Sequence, residues 1–114
     1  MDGSGAQAER LAAAYLEARG LTIVARNVRS RHGELDLIAR DGDTLVFVEV
    51  RLRRRSDYGG AAASITAAKQ ARLVAAAGAY LATLGREPAC RFDAVLLDAL
   101  DATRIEWCRD ILSA

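Results

Sequence analysis

Two apolar stretches joined by a short turn constrain the fold of this chain more than any other feature. Two acids alternate with leucines in residues 33–38, and one acid lies among valines in residues 46–51. Alternation with a period of two predicts β-strands. Residues 41–43, Asp-Gly-Asp, lie between the stretches and are typical of a hairpin turn. The sequence therefore predicts an antiparallel hairpin that carries acids where a core strand would carry valines.

The length of the turn decides which side chains meet across this hairpin. If residues 42 and 43 form a two-residue loop, Asp36 faces Glu49 and Glu34 faces Arg51, and all four side chains share one face. Directly opposed side chains have Cβ atoms about 5 Å apart, and like charges there are destabilising. A carboxylate pair held at that distance needs a proton or a cation between its members. A three-residue loop would instead place Asp36 and Glu49 on opposite faces.

The composition indicates a globular protein of one domain. The chain has 114 residues, of which 52% are hydrophobic and 27% are charged, so it is not a disordered chain and suits one modest core. We expect a single domain over residues 4–114, preceded by a flexible tail of residues 1–3. The net charge is +1 and the pI is near 7.8, so a globally basic nucleic-acid binder is not indicated. Any nucleic-acid contact must come from local clusters of charge.

Several classes of protein find no support in the sequence. Cys90 and Cys108 lack metal-ligand spacing and are expected to be reduced thiols, and the lone His32 argues against zinc. Because no signal peptide or membrane-spanning apolar run is visible, we expect a soluble cytoplasmic protein with no membrane partner. No glycine-rich phosphate loop or Ser-His-Asp set is visible either, and no small-molecule cofactor is expected.

Periodicity and helix-end signals predict the order of the elements. Ser4 and Gly20 bound a first helix, and a second helix begins near Ser64 or Thr66 and ends at Gly85. Strands are predicted at residues 21–28, in both arms of the hairpin, at residues 92–97 and at residues 104–111. The order α-β-β-β-α-β-β indicates an α/β (α+β) domain with a mixed sheet flanked by helices. The long second helix allows a parallel crossover between the strands that precede and follow it.

Two charged residues fall near the core-facing sides of the predicted helices. Glu9 lies at the edge of the apolar stripe of the first helix, where the helix dipole is the simpler explanation for an acid. Lys69, the only lysine, lies one turn before Leu73 in the stripe of the second helix. A snorkelling stem explains this lysine as well as a functional role does.

Taken together, the acids permit two interpretations. Oxygen ligands from Glu9, Asp36 and Glu49 suit Mg²⁺ or Mn²⁺, which can polarise a phosphodiester and activate water. A nearby cation such as Arg51 can stabilise the charge that develops. In the structural alternative, Glu34 forms a cross-strand ion pair with Arg51, and the other acids pair with the abundant arginines. Composition and spacing alone do not separate these alternatives.

A family resemblance favours the metal site. Asp36, followed after an apolar strand by Glu49-Val50-Arg51, resembles the PD-(D/E)xK nuclease superfamily, and the helix with Glu9 ahead of three strands resembles its archaeal Holliday-junction-resolvase branch. From about Gly5 to the fifth strand, the chain more closely resembles the uncharacterised bacterial YraN-like family. The landmarks of that resemblance are Gly5, Glu9, Tyr15-Leu16, Gly20, Asn27, residues 33–38, residues 47–51, Arg53, Lys69 and Arg91-Phe92-Asp93.

The resemblance implies a restriction-endonuclease-like fold and a metal-dependent endonuclease acting on DNA, with Asp36 and Glu49 as catalytic metal ligands and Glu9 as an accessory ligand. The chain departs from the pattern at Arg51, where the superfamily usually has a lysine. Arginine can hold a phosphate, but it keeps its proton and cannot act as a general base. Lys69 is the candidate for the missing amine. The alternatives are a module that binds nucleic acid without cleaving it and a structural or partner-binding protein.

The candidate contacts to DNA are basic or polar residues near the acids. They are Arg26, Arg29, Arg31, His32, Arg51, Arg53, Arg54, Arg55 and Gln70. Such runs are also common on solvated loop surfaces. Because the sequence offers few groups for reading base edges, we expect recognition of DNA structure, including branched or damaged forms, rather than of sequence. The resemblance to resolvases also implies a homodimer.

Overall fold

The computed structural model describes residues 3–52, 66–101 and 103–112, which form two helices and five strands. In chain order these are α1 (Gly3–Ala18), β1 (Thr22–Ser30), β2 (Gly33–Asp41), β3 (Thr44–Leu52), α2 (Ala67–Ala82), β4 (Cys90–Leu97) and β5 (Ile105–Cys108). This order confirms the predicted arrangement and the α+β class. Within the described residues, neither helix has the length and apolar character needed to cross a membrane.

The five strands form one mixed sheet in the order β1-β2-β3-β4-β5. Strands β1 to β3 are antiparallel to their neighbours, β4 and β5 are antiparallel, and β3 and β4 are parallel with α2 between them in the chain. The predicted parallel crossover is therefore confirmed. Strand β5 is shorter than the predicted residues 104–111, because the backbone turns at Asp110 with a positive φ of 57° and donates its N–H to the Asp93 side chain.

Several ends of the elements follow the signals in the sequence, although α2 ends at Ala82 rather than at the predicted Gly85. Thr66 caps α2, and its side chain accepts a hydrogen bond from the Lys69 N–H. Gly42, with a φ of 61°, lies in a two-residue turn between β2 and β3, so the predicted register is confirmed. A further difference is at α1, which begins at Gly3, so that Ser4 lies in its first turn rather than ahead of it. Of the predicted tail, residues 1 and 2 lie outside the described residues.

The two helices pack on opposite faces of the sheet, and each buries its own apolar cluster. Leu16 of α1 packs in one cluster with Leu37 and Val48 of the sheet. Leu73 of α2 packs in the other with Phe47, which is 1% exposed. The middle of the sheet is thus covered on both sides. Acids can reach solvent only where the central strands extend beyond this cover.

The alternation of side chains in β2 is interrupted near its start. Leu37 lies on the α1 face, whereas Leu35, two residues away, lies on the α2 face. In the neighbouring strand, Asn27 has a positive φ of 51°, which asparagine tolerates better than most residues, and the pairing of β1 with β2 skips Asn27 and Asp36. The strict period of two predicted for β2 is therefore wrong at Asp36, because an irregularity in both strands falls there.

Candidate metal centre

Strands β2 and β3 separate where Asp36 and Glu49 lie. Their pairing follows the predicted register from the turn as far as Leu37 and Val48 and then ends, although β3 continues alongside β4. At that point Oδ2 of Asp36 accepts a hydrogen bond of 2.9 Å from the Val50 N–H. A side chain thus takes the place of the next backbone acceptor, and the Asp36 carboxylate lies in the fork between the two strands.

Three carboxylates converge at this fork. Glu9 reaches it from α1, Glu34 from the start of β2 and Asp36 from between the strands, and one oxygen from each lies within 4.8 Å of the others. Asn27 forms a side-chain hydrogen bond with Glu9. The structure therefore places Glu9 beside Asp36, as a shared site requires, and adds Glu34 and Asn27, which were not in the predicted ligand set.

Burial and like charges disfavour the ionised form of these acids. Burial, and after it the charge of Glu49, raises the pKa of Asp36 to about 7, despite the hydrogen bond from Val50. Burial also raises the pKa of Glu9, although hydrogen bonds with Asn27 and Asp36 oppose that rise. A hydrogen bond between two carboxyl groups requires one of them to carry a proton. The cluster therefore lacks the positive charge that would allow all its members to ionise.

Glu34 does not pair with Arg51 as the structural alternative required. Its Oε2 lies 3.6 Å from Nε of Arg29, and the two side chains are 38% and 80% exposed, so this ion pair is weak. Glu34 lies beside Glu9 of α1 instead, and it lines the same cleft as Glu49. The predicted ion pair between Glu34 and Arg51 is therefore wrong. The signal that could have identified Glu34 is its position two residues before Asp36 in an acidic strand.

Lys69 reaches the acids from α2, on the opposite side of the sheet from Glu9. Its Nζ lies 3.5 Å from Oε1 of Glu49, and the two side chains are 29% and 13% exposed. The predicted core-facing position of Lys69 is confirmed, and its ammonium group has a specific partner that a snorkelling stem alone does not require. Glu49 faces this lysine and is not part of the three-carboxylate group.

Arg51 occupies the position of the motif lysine two residues beyond Glu49. Its Nε is buried and has no hydrogen-bond partner. A buried donor without an acceptor is destabilising unless a ligand supplies one. This atom is therefore consistent with a role in binding an anion. Residues 53–65, which include the predicted contacts Arg53, Arg54 and Arg55, lie outside the described residues.

A cleft of about 180 Å³ opens over the acids. Its lining consists of His32, Gly33, Glu34, Asp36, Glu49, Lys69, Arg72 and Leu73. Of the predicted DNA contacts, Arg29 and Arg31 are exposed but do not line this cleft, and Gln70 is half-buried next to Lys69 on α2. Arg72 was not among the predicted contacts, because its place on the helix suggested only solvent exposure.

The donor set of the fork suits a hard divalent cation. Carboxylate oxygens are the ligands that Mg²⁺ and Mn²⁺ prefer, and a cation among them would remove the repulsion that raises the pKa of Asp36. The structural alternative, in which the acids pair with basic residues, holds in part, because Glu34 pairs with Arg29 and Glu49 pairs with Lys69. Among the described residues, however, no lysine or arginine pairs with Asp36. The residues present therefore fit a metal ion at this position.

The comparison with known proteins identifies close relatives. The model of the uncharacterised protein family UPF0102 matches residues 8–97. A UPF0102 protein of Nitrosospira multiformis is 55% identical over 106 residues, which cover 93% of this chain and 89% of that protein. Those of Methylobacillus flagellatus and Nitrosomonas europaea are 52% identical over 110 residues (96% of each chain) and 53% identical over 106 residues (93% of this chain and 90% of that protein). The family match spans Glu9, Asp36, Glu49 and Lys69.

Proposed function

The chain belongs to the uncharacterised protein family UPF0102, and from that premise we propose that it is a divalent-metal-dependent, endonuclease-like protein that hydrolyses phosphodiester bonds in DNA. The observation that carries the proposal is the convergence of Glu9, Glu34 and Asp36 in the strand fork, with oxygens within 4.8 Å of one another. Asp36 has a pKa of about 7 because burial and neighbouring acids oppose its ionisation. An arrangement that is unfavourable without a cation supports a cation-binding role.

The fork and Glu49 together supply the ligands of the proposed site. Asp36 lies close to Glu9 and Glu34 and is affected by the charge of Glu49, so it is the central ligand of the proposed Mg²⁺ or Mn²⁺ site. When bound, such an ion polarises the phosphodiester and lowers the pKa of water. The Val50 N–H holds Asp36 in position at 2.9 Å, and Asn27 holds Glu9.

Lys69 and Arg51 supply the positive charges of the proposed site. Lys69 lies 3.5 Å from Glu49, so its ammonium group is beside one of the proposed ligands. In this role it would donate hydrogen bonds to a phosphate oxygen and stabilise the negative charge that develops in the transition state. Arg51 provides a second, permanent positive charge with a buried and unpartnered Nε. It keeps its proton and does not act as a base.

A second candidate function is a module that binds nucleic acid without cleaving it. The observation in its favour is Arg51 at the motif position of the general-base lysine. On this alternative, Lys69 is only the counter-ion of Glu49. The fold itself does not decide between binding and cleavage, because one fold supports many functions.

Cleavage assays with matched variants test the proposal. The protein is incubated with supercoiled plasmid and with a four-way DNA junction, in Mg²⁺, in Mn²⁺ and without metal. We expect cleavage only with metal, and a loss in Asp36→Asn and Glu49→Gln that exceeds the 10- to 100-fold typical of groups that only support metal ligands. Glu17→Gln, an exposed acid of α1, is the matched control and retains activity.

The thermal stability of the same proteins in metal separates the alternatives. A metal held at 100 times its Kd stabilises the wild type by about 2.7 kcal/mol, and the two acid variants lose this gain. Cleavage that survives in both acid variants would refute the proposed site. Junction binding that weakens with salt, without cleavage in any metal, would favour the non-catalytic module. No metal-dependent stabilisation and no DNA binding would leave only the structural role.

A further inference from the structure

The walls of the cleft come from two elements that carry positive or hydrogen-bonding groups. The turn between β1 and β2 contributes His32, the first turns of α2 contribute Lys69 and Arg72, and the acids Asp36 and Glu49 lie between them. A cleft with acids at its centre and hydrogen-bond donors at its rim suits a negatively charged group that also binds a metal held by the acids. A phosphate ester has that character.

The size of the cleft limits the class of substrate. Its volume is about 180 Å³, whereas sites for small molecules usually measure about 300–1,000 Å³. The cleft is thus smaller than a usual site for an enclosed metabolite and suits a small group such as a phosphate. The cleft therefore suits a segment of a polymer backbone that enters and leaves at its open ends.

Arg72 lies on the same face of α2 as Lys69, three residues further on and about 4.5 Å along the helix axis. Lys69 is paired with Glu49, whereas Arg72 is exposed and forms no ion pair with any described acid. Its guanidinium group is thus able to bind two oxygens of one phosphate. Because Arg72 lies further along the helix than Lys69, a phosphate bound to Arg72 would lie to one side of a phosphate bound beside Lys69.

His32 is held in the opposite wall by a hydrogen-bonded turn. The Ser30 hydroxyl accepts the His32 N–H at 3.1 Å and donates to the Gly33 carbonyl at 3.3 Å. Nε2 of His32 accepts a hydrogen bond of 3.4 Å from Nε of Arg31. This contact leaves Nδ1 as the ring nitrogen that can donate to an anion in the cleft. Gly33, with a φ of 132°, permits the sharp turn that places this ring at the cleft.

From these observations we infer that the cleft binds one strand of the nucleic acid, and that Arg72 and His32 hold the phosphate next to the one that reacts. The inference rests on the proposed function and assigns Arg72 and His32 as positioning residues. Both contact only the backbone, so they position any sequence equally. A duplex must therefore present one accessible strand at the cleft, as it does at a branch or a nick.

Binding assays with single variants test this assignment. A fluorescently labelled four-way junction is titrated with protein in Ca²⁺, a hard cation that oxygen ligands also accept, and anisotropy is followed from 50 to 300 mM salt. We expect Arg72→Ala to weaken binding about tenfold, since it removes charge-assisted hydrogen bonds to a phosphate. The slope of log K against log salt should fall by about 1. Two junctions of unrelated sequence should show the same losses.

Matched variants make the result specific. Arg86→Ala removes an exposed arginine beyond the end of α2 and should bind as the wild type does. His32→Ala should weaken binding about threefold, because it removes one hydrogen bond to the phosphate. Thermal melting confirms that every variant is folded.

The outcomes distinguish this inference from the proposed function. If the wild type binds and cleaves the junction while Arg72→Ala matches Arg86→Ala in affinity and slope, the positioning role is wrong and the nuclease proposal stands. If the wild type does not bind the junction, both are wrong. If losses differ strongly between the two junction sequences, the contact is to bases and the backbone assignment is overturned.

Discussion

Two aspartates on either side of β3 show how the surroundings of a carboxylate separate structure from function. Asp93 on β4 is fully buried and accepts hydrogen bonds from Nε of Arg91 at 3.1 Å, from the Trp107 indole at 2.9 Å and from the Asp110 N–H at 2.9 Å. Asp36 on β2 is half-buried, accepts one backbone N–H, and has acids as its other charged neighbours. Asp93 is therefore neutralised and saturated with donors, whereas Asp36 is neither.

This difference teaches that the supply of donors and of opposite charge, and not depth of burial alone, distinguishes the two carboxylates. The more deeply buried Asp93 has its charge balanced by Arg91, which also pairs with Asp41 at 3.0 Å. Burial and then the charge of Glu49 raise the pKa of the half-buried Asp36 to about 7. Each of the following predictions tests whether these two sites differ in this way.

The largest effect is expected at Asp93. Asp93→Ala should destabilise the fold by about 3–5 kcal/mol, because it removes one of the two acids that neutralise the partly buried Arg91 and leaves the Trp107 and Asp110 N–H groups without an acceptor. Denaturant unfolding of metal-free protein at pH 7 measures the loss. Under the same conditions Asp36→Asn should unfold at the wild-type denaturant concentration or above it. Equal destabilisation by the two substitutions would remove the distinction between the sites.

The pH dependence of stability should come from the Asp36 site. The unfolded chain releases the Asp36 proton near pH 3.8, whereas the folded protein holds it to about pH 7. The folded state therefore binds more protons between these values, and the free energy of unfolding falls as pH rises through this window. At about 1.4 kcal/mol per pKa unit, the fall attributable to Asp36 is on the order of 4 kcal/mol.

Unfolding curves at several pH values check this prediction. Asp36→Asn should lack the fall that the metal-free wild type shows between pH 4 and pH 7, and Glu17→Gln should behave as the wild type. Added Mn²⁺ should suppress the fall in the wild type, because it favours the ionised carboxylates. Parallel curves for the wild type and Asp36→Asn would mean that the acids at the fork do not repel one another as described.

The hairpin register was predictable from the sequence, and the full composition of the site was not. The Asp-Gly-Asp turn and the period of two were enough to predict that Asp36 and Glu49 lie near each other, and helical periodicity was enough for Lys69. Glu34 was not in the predicted ligand set, because its position depends on the positive φ of Asn27 in a different strand. Local patterns carry no information about an irregularity shared by two strands.

Arg51 is a second residue whose surroundings local sequence patterns do not predict. The register alone predicted a partner for it in Glu34, but the strands separate before that pair could form. The separation depends on the Asp36 carboxylate accepting the Val50 N–H in place of a backbone carbonyl. A side chain that replaces a backbone acceptor cannot be identified from period and turn type.

A smaller effect is expected from the lysine that partly neutralises Glu49. Lys69→Met removes a positive charge 3.5 Å from Glu49, so a divalent cation no longer competes with the ammonium group. Calorimetric titration with Mn²⁺ should show affinity increased about tenfold, or about 1.4 kcal/mol, while any cleavage is reduced. Arg72→Met is the matched control, since it removes a charge that pairs with no described acid. Unchanged or weaker Mn²⁺ binding in Lys69→Met would show that the ammonium group does not compete at this site.

The smallest effect is expected at the exposed ion pair of Glu34. Arg29→Ala removes a partner at 3.6 Å whose side chain is 80% exposed, so stability should change by less than about 0.5 kcal/mol. Arg29 is therefore no substitute for the donors that Asp93 has, although it lies beside the acids. Chemical denaturation at pH 7 in low and in high salt measures this, and the two salt conditions should give nearly the same difference. A loss above about 1 kcal/mol that disappears at high salt would mean that Arg29 balances the acid cluster, and the contrast between the two sites would then be one of degree.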